Sequence, residues 1–264
     1  MISKGSILIM NDLVSIVMPT YNTAEYITES ILSVILQTYQ NWELIIVDDC
    51  STDETEKIVN EFSDSRITFH KNECNLGAAA SRNKALSLAK GKWIAFLDSD
   101  DLWLPNKLEK QINFMKSNEY HFSYTEYMEI DEHGKATGNI VSGPKRVTYS
   151  GIKRYCWPGC LTVMYDADMI GTIQIKDIKK NNDYAMWLKV SQKADCFLLK
   201  DVLAKYRKGR KGSISTNGYM TMIMWHYKLF RQAEGENVIT SCLYTLRNIC
   251  YGVLKKVFFI RRNI

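Results

Sequence analysis

The sequence predicts an α/β protein with a mostly parallel central sheet, helices on both faces and a helical arm at its C-terminal end. Three observations carry that expectation. Short apolar runs alternate with segments that show helical spacing. Two of the runs stop abruptly in acids, at Asp48-Asp49 and at Asp98-Ser99-Asp100-Asp101. The apolar runs are also nearly continuous, as strands covered on both faces must be, and strand–helix alternation makes such strands parallel. With 264 residues, 46% hydrophobic and 11% aromatic, the chain can bury a large core and does not read as disordered.

The elements follow in order. Leu13–Met18 reads as the first strand, stopped by Pro19, with Pro19-Thr20-Tyr21-Asn22 as its turn. In 24–37, Ile27, Ile31, Val34 and Ile35 fall at helical spacing. Glu43–Val47 is the second strand. Ser51-Thr52-Asp53-Glu54 has the pattern of a capping box and opens a helix through Phe62. Arg66–His70 is a short strand, Gly77 precedes a helix over 78–89, and Gly91 turns the chain into the strand Ile94–Leu97. From Tyr120 the pattern is less regular. A strand over 121–130 and a turn at 131–135 suggest an antiparallel excursion. Leu161–Met164 reads as a short strand, 183–192 as a helix, and 196–199 and 203–206 as two strands. Helices are expected over 221–232 and 237–259. In the last, Ile239, Leu243, Leu246, Cys250, Val253 and Val257 form an apolar stripe, with Arg247, Lys255 and Lys256 off it.

Composition narrows the function. Seven cysteines without a zinc spacing point to reduced structural thiols in a cytosolic protein. Ile7–Met10 is too short for a signal peptide, and no apolar run reaches the length of a membrane span. The net charge of +5 hides an asymmetry: from Val202 onward there are 12 Lys/Arg against 2 acids, while the first 201 residues sum to −5. Such a split suits an anionic partner, either membrane phospholipid or a diphosphate, and no nucleic-acid motif is present. In Asp98-Ser99-Asp100-Asp101, one acid would suffice to cap a helix starting near Pro105. Three carboxylates at a strand tip repel one another unless a cation offsets them, and hard oxygen ligands suit Mg²⁺ or Mn²⁺.

Four motifs, each beyond an expected strand or at a helix start, occur in the order found in family 2 glycosyltransferases. They are Val17-Met18-Pro19-Thr20-Tyr21-Asn22, Ile46-Val47-Asp48-Asp49-Cys50-Ser51-Thr52-Asp53, Asn75-Leu76-Gly77 with Ser81-Arg82-Asn83, and Asp98-Ser99-Asp100-Asp101. The chain resembles that family over about residues 13–210, and most of all its bacterial members that build O-antigen, capsule or teichuronic acid. The resemblance implies a GT-A fold, a UDP-sugar donor, Mn²⁺ or Mg²⁺, and inversion at the anomeric carbon. It sets a catalytic domain over 13–215, with a nucleotide-binding half over 13–117 and an acceptor half over 118–215. A basic amphipathic arm covers 216–264.

The resemblance also implies roles. Tyr21 would stack on the uracil, with Pro19 shaping the turn, and Asp49 would accept from the base N3–H. Arg82 and Asn83, opening a helix, suit a diphosphate or ribose. Asp98 and Ser99 fall to the donor's ribose or sugar, Asp100 to the metal, and Asp101 to capping the next helix. Asp183 takes the position of the general base, while Asn182 stands where relatives usually carry Glu. Trp157 and Gly159 would line the acceptor pocket. Arg207 and Arg210, with Gly209 and Gly212, resemble a flexible segment closing over the diphosphate, although the His common there is missing. The expected activity is transfer of one sugar from a UDP-sugar to a hydroxyl of a lipid-diphosphate-linked saccharide. The basic C-terminal helices read either as an arm packed on the catalytic domain or, as favoured here, as an anchor that seats the protein peripherally on the inner face of the cytoplasmic membrane; a homo-oligomer is a further expectation. A sugar-nucleotide nucleotidyltransferase would want a Gly-rich basic loop after the first strand, which is not there. A non-catalytic scaffold would not need Asp100 and Asp183.

Overall fold

The computed structural model describes residues 12–176, 178–210 and 219–262. The chain runs β1 (Val14–Thr20), α1 (Ile27–Ile35), β2 (Trp42–Asp48), α2 (Thr55–Asn60), β3 (Ile67–Lys71), α3 (Ala78–Leu88), β4 (Trp93–Phe96), β5 (Leu102–Trp103) and α4 (Lys107–Asn118). It continues through β6 (Phe122–Ile130), β7 (Ala136–Val141), β8 (Arg146–Val147), α5 (Tyr149–Arg154), a 3₁₀ turn at Cys160–Thr162, β9 (Met164–Asp166), α6 (Ala167–Ile170), α7 (Asn182–Ser191) and β10 (Cys196–Arg207). Last come α8 (Tyr219–Lys228), which runs on into a π-helical turn at Leu229–Ala233, then α9 (Val238–Phe258) and β11 (Ile260–Arg262). Ile7–Met10 and the Lys211-Gly212-Ser213 part of the expected closing segment lie outside the described residues.

The sheet runs β11-β7-β6-β9-β4-β1-β2-β3. The strands in the order β3-β2-β1-β4 are mutually parallel, as the alternation required. Their side chains divide cleanly between two faces. Ile16, Met18, Leu44, Ile46 and Ala95 pack with Ile27, Ile31, Leu108 and Ile112 of α1 and α4. Val17, Ile45, Val47, Ile94 and Phe96 pack with Ala85 and Leu86 of α3 and with Trp187 and Leu188 of α7. The period of two along each strand thus feeds two cores, and neither face meets water. Trp187 is fully buried with its ring edge-on to Phe96 at 5.1 Å, and an aromatic buried this way is worth about 3 kcal/mol.

Several boundaries differ from the sequence pattern. Pro19 lies inside β1 rather than ending it. Val17 bonds toward the β4 side, accepting from Leu97 N, so Pro19 faces that side too, where β4 has already ended and no donor is needed. The helix expected from Ser51 opens only at Thr55, because Ser51 is held by the Asp48 carboxylate instead. Leu161–Thr162 is a 3₁₀ turn, and the strand follows it. The two strands expected over 196–206 are one, β10, bulged between Leu199 and Ala204 where it runs parallel to β6. Asp101 caps no helix; its role is given below.

Gly91 precedes β4 where the chain passes tightly over β1. A Cβ there would lie 2.5 Å from the Leu13 carbonyl and 2.6 Å from the Ser15 amide, backbone atoms just before and within the central strand β1. Gly91→Ala is expected to destabilise the protein by about 3 kcal/mol. That corresponds to a Tm lower by roughly 6–12 °C in thermal unfolding; an unchanged Tm would show that this crossing can yield.

Candidate active site

The carboxyl ends of β1, β2 and β4 converge on one side of the sheet, where an open α/β fold places its ligand crevice. The backbone is strained there. Asn22 (φ 49°) follows β1, Cys50 (φ 67°) follows β2, and Asn181 (φ 57°) precedes α7, each in the left-handed region without being glycine.

Beyond β1, Tyr21 is 46% exposed, open to stack on a ring. Beyond β2, the Asp49 carboxylate accepts from Gly77 N (2.7 Å), Leu76 N (2.8 Å) and Asn72 Nδ2 (2.9 Å). Asp49 therefore fixes the start of α3, and with about four lone-pair positions it keeps one for a further donor. Asn83 does not face that crevice: its amide clamps the Ile175 backbone, donating to the carbonyl and accepting from the N–H, both at 2.7 Å.

The three acids after β4 have separate fates. Asp98 pairs with Arg82. Asp100 pairs with Arg210, and its carbonyl accepts from Arg207 Nε at 2.9 Å. Asp101 is buried; its carboxylate accepts from Arg207 N (2.8 Å) and its carbonyl from Ser30 Oγ (2.8 Å). Burial, with the charges of Asp100 and Asp98 beside it, pushes the Asp101 carboxyl well above the usual range. Burial raises Asp100 as well, against the pull of Arg210. Ser99 is buried and takes the Thr23 hydroxyl at 3.1 Å, so it ties this loop to the one after β1 rather than facing a ligand.

Arg207 departs most from expectation. It ends β10 instead of sitting in a mobile loop. Its guanidinium is buried, donating to the Glu132 carbonyl (2.9 Å) and to Glu29 (2.7 Å). It rivets the tip of β10 to the Asp100-Asp101 turn. Arg210, just beyond, pairs with the Asp100 carboxylate.

The start of α7 is tied to this crevice by Arg82. From the first turns of α3 its guanidinium reaches the Asp98 carboxylate on one side and the Asn182 Oδ1 on the other, leaving a buried Nε with no partner among the described residues. Burial works against its charge, but the carboxylates of Asp98 and Asp183 hold its pKa above the ordinary value. Asp183 follows Asn182 directly in the first turn of α7. Its carboxyl is raised by burial, although Arg82 draws it down. Burial keeps the neighbouring Cys160 thiol protonated, so it offers no nucleophile.

Trp157 and Gly159 are not open walls. Trp157 is buried edge-on among Tyr155, Tyr251 and Phe259, and Gly159 sits where a Cβ would come within 3.2 Å of the Tyr127 ring. Sequence reasoning did not find the bridging role of Arg82, the Asn83 clamp or the Thr20–Thr23–Ser99 hydroxyl chain, since all join residues far apart in the chain.

No group of three or more His, Cys, Asp or Glu side chains suited to a metal exists among the described residues. The donor set nonetheless fits a hard divalent ion: Mg²⁺-type sites often use one or two carboxylates and leave the rest to substrate phosphates and water, and Asp100 and Asp98 lie close enough to raise each other's charge cost.

This sheet, with acids at the ends of its parallel strands, defines the GT-A class of nucleotide-sugar-dependent transferases. The fold is shared with S. aureus TarS 1–349, solved in complex with UDP-GlcNAc (TM-score 0.67, 22% identity, covering 89% of this chain and 70% of that one). It is shared too with the mannosyltransferase PcManGT from Pyrobaculum calidifontis in complex with GDP-Man and Mn²⁺ (TM-score 0.65, 17% identity, 92% and 72% covered). The profile of Glycosyl transferase family 2 matches residues 15–161, and the chain belongs to that family. It is a glycosyltransferase. Among its relatives, the UDP-Glc:alpha-D-GlcNAc-diphosphoundecaprenol beta-1,3-glucosyltransferase WfgD of Escherichia coli is 40% identical over 93% of this chain and 96% of its own length. The putative teichuronic acid biosynthesis glycosyltransferase TuaG of Bacillus subtilis (strain 168) is 41% identical over 78% and 82%.

Proposed function

We propose that this chain moves a single sugar from a UDP-sugar, with inversion, to a hydroxyl of a lipid-diphosphate-linked saccharide at the inner face of the cytoplasmic membrane. The observation that carries the reading is Arg82, whose one guanidinium holds both the acid at the donor end, Asp98, and the residue beside the candidate base, Asn182. The relatives named for UDP-glucose and a diphosphoundecaprenol acceptor support donor and acceptor classes.

In this reading Tyr21 stacks on the base, and the remaining lone pair of Asp49 takes its N3–H. Asp100, helped by Asp98, would hold Mn²⁺ or Mg²⁺ on the diphosphate; such an ion offsets the charge that develops on departing UDP. Arg210 exchanges Asp100 for phosphate oxygens when donor enters, while Arg207, already committed, keeps the turn in place. Asp183 accepts the proton of the acceptor hydroxyl as its oxygen attacks the anomeric carbon from the face opposite UDP. Its raised pKa makes it a stronger base than an exposed aspartate.

The test is UDP release from a panel of UDP-sugars with a synthetic N-acetylglucosamine-diphospho-lipid, with and without Mn²⁺. Release that needs both acceptor and metal is expected; none with any pair would remove the reading. Asp100→Ala should weaken Mn²⁺-dependent UDP binding by about 10- to 100-fold in calorimetry without weakening metal-free binding, since Arg210 loses only a competitor for phosphate. Unchanged Mn²⁺ dependence would take Asp100 out of the metal's reach.

A further inference from the structure

Helix α9 is built inside out. The residues it buries most fully are polar: Ser241, Thr245 and Asn248 are buried, beside the half-buried Tyr244 and Tyr251, with Asn248 Nδ2 donating to the Tyr184 hydroxyl (3.0 Å) and Thr245 Oγ1 to the Ser241 carbonyl (2.7 Å). At about 100° per residue that face lies opposite Ile239, Leu243, Leu246, Cys250, Val253 and Val257. The five aliphatic members of this stripe are 56–74% exposed, and Phe258 beyond them is 72% exposed. A helix on a globular domain ordinarily turns its apolar stripe inward, and a contiguous apolar face left in water marks an interaction surface.

The helix is not free to roll over. Asn237 Oδ1 caps it at Thr240 N (2.9 Å), and Lys255 Nζ donates to the Trp157 carbonyl (3.2 Å). Just after α9, β11 pairs antiparallel with β7, and Arg261 grips both oxygens of Glu126. The stripe is therefore held outward.

Charge decides what covers it. Helix α9 contains no acid; exposed Arg247 and Lys256 flank the stripe, and exposed Arg262 follows in β11. A second copy laid along the same stripe would bring like charges together. A bilayer with anionic phospholipid meets both features, taking the aliphatic side chains at the acyl boundary and the cations at the headgroups. The inner face of α9 touches Tyr184, the neighbour of Asp183, so a membrane on the outer face lies about one helix diameter, ~10 Å, behind the base-bearing helix.

We propose that the outward face of α9 is a membrane-docking surface for anionic bilayers, which sets the acceptor half of the cleft against the lipid. Its purpose rests on the lipid-linked acceptor argued above, but the binding itself needs neither donor nor acceptor.

The test is flotation of the full chain with vesicles of mixed phosphatidylglycerol and phosphatidylcholine, and with phosphatidylcholine alone. Wild type is expected to float with the mixed vesicles, less so as salt rises. The variant Leu243→Gln/Leu246→Gln/Val253→Gln, altered only at exposed positions, should lose affinity on the order of tenfold or more. It should keep its circular dichroism and its UDP release with a short, water-soluble acceptor. Arg247→Gln/Lys256→Gln should flatten the salt dependence. Wild type that stays with the pellet, or a triple variant that floats as well as wild type, overturns the proposal. So does a solution dimer that the triple variant splits, which would make the stripe a seam between copies. If UDP release fails while flotation holds, the assigned reaction falls and the docking surface stands.

Discussion

Asp183→Asn is expected to lower kcat by about 10²- to 10⁴-fold, the usual span for losing a positioned base, while UDP binding stays as in wild type. Asn is nearly the same shape and keeps the first turn of α7, but it cannot take a proton. The pH profile adds a separate sign. Burial lifts the carboxyl of Asp183 above its ordinary value of about 3.9, with Arg82 limiting the rise. The acid limb of kcat/KM should therefore lie above the range of an exposed aspartate, activity rising as pH climbs through it. Stability moves the other way. A carboxyl whose pKa is higher folded than unfolded favours the fold fully only below its unfolded pKa, and loses that contribution as pH rises through the folded value. Asp183→Asn removes the loss and should unfold at a higher temperature than wild type at neutral pH. Lost UDP binding would instead make Asp183 structural, and undiminished turnover would exclude it from the chemistry.

The acids of this crevice were legible because they sit at strand tips. Period-two apolar runs locate β1, β2 and β4, and the acids just beyond them fall where a parallel sheet gathers its strand ends, whatever the loops do afterwards. The roles of single residues were less legible. Arg207 and Arg210 are three residues apart and chemically alike, yet one is a buried rivet and the other faces Asp100. The difference is set by Glu29 and Glu132, far away in sequence. Trp157 could have been a sugar platform or core by composition alone, and two of the rings around it, Tyr251 and Phe259, come from α9 and its C-terminal end, about 100 residues away. The spacing of α9 showed a stripe but not its direction. Direction depends on which face finds partners, and here Asn248 finds Tyr184.

Replacing Arg82 should do the most damage outside the base, and through two routes. Arg82→Ala leaves Asp98 without its counter-charge and the buried Asn182 oxygen without a donor. Removing one member of a buried ionic network costs about 3–5 kcal/mol, and the partial exposure of Asp98 puts this case at about 3. The catalytic loss should exceed what that destabilisation explains, because α7 carries Asp183 and loses its tie to the donor end; KM for donor should rise and kcat fall together. Arg82→Lys tests geometry against charge, since an ammonium cannot reproduce a planar fork that spans two acceptors, and it should recover fold more than turnover. Asn182 is the other half of the argument. Where related enzymes usually carry Glu, an amide oxygen here accepts from the same guanidinium, so Asn182→Glu should be tolerated while Asn182→Leu is not. In a double-mutant cycle on kcat/KM, Arg82→Ala and Asn182→Leu should together cost less than their sum, by roughly 1–3 kcal/mol. Strict additivity would mean that the bridge seen between them does not position the base.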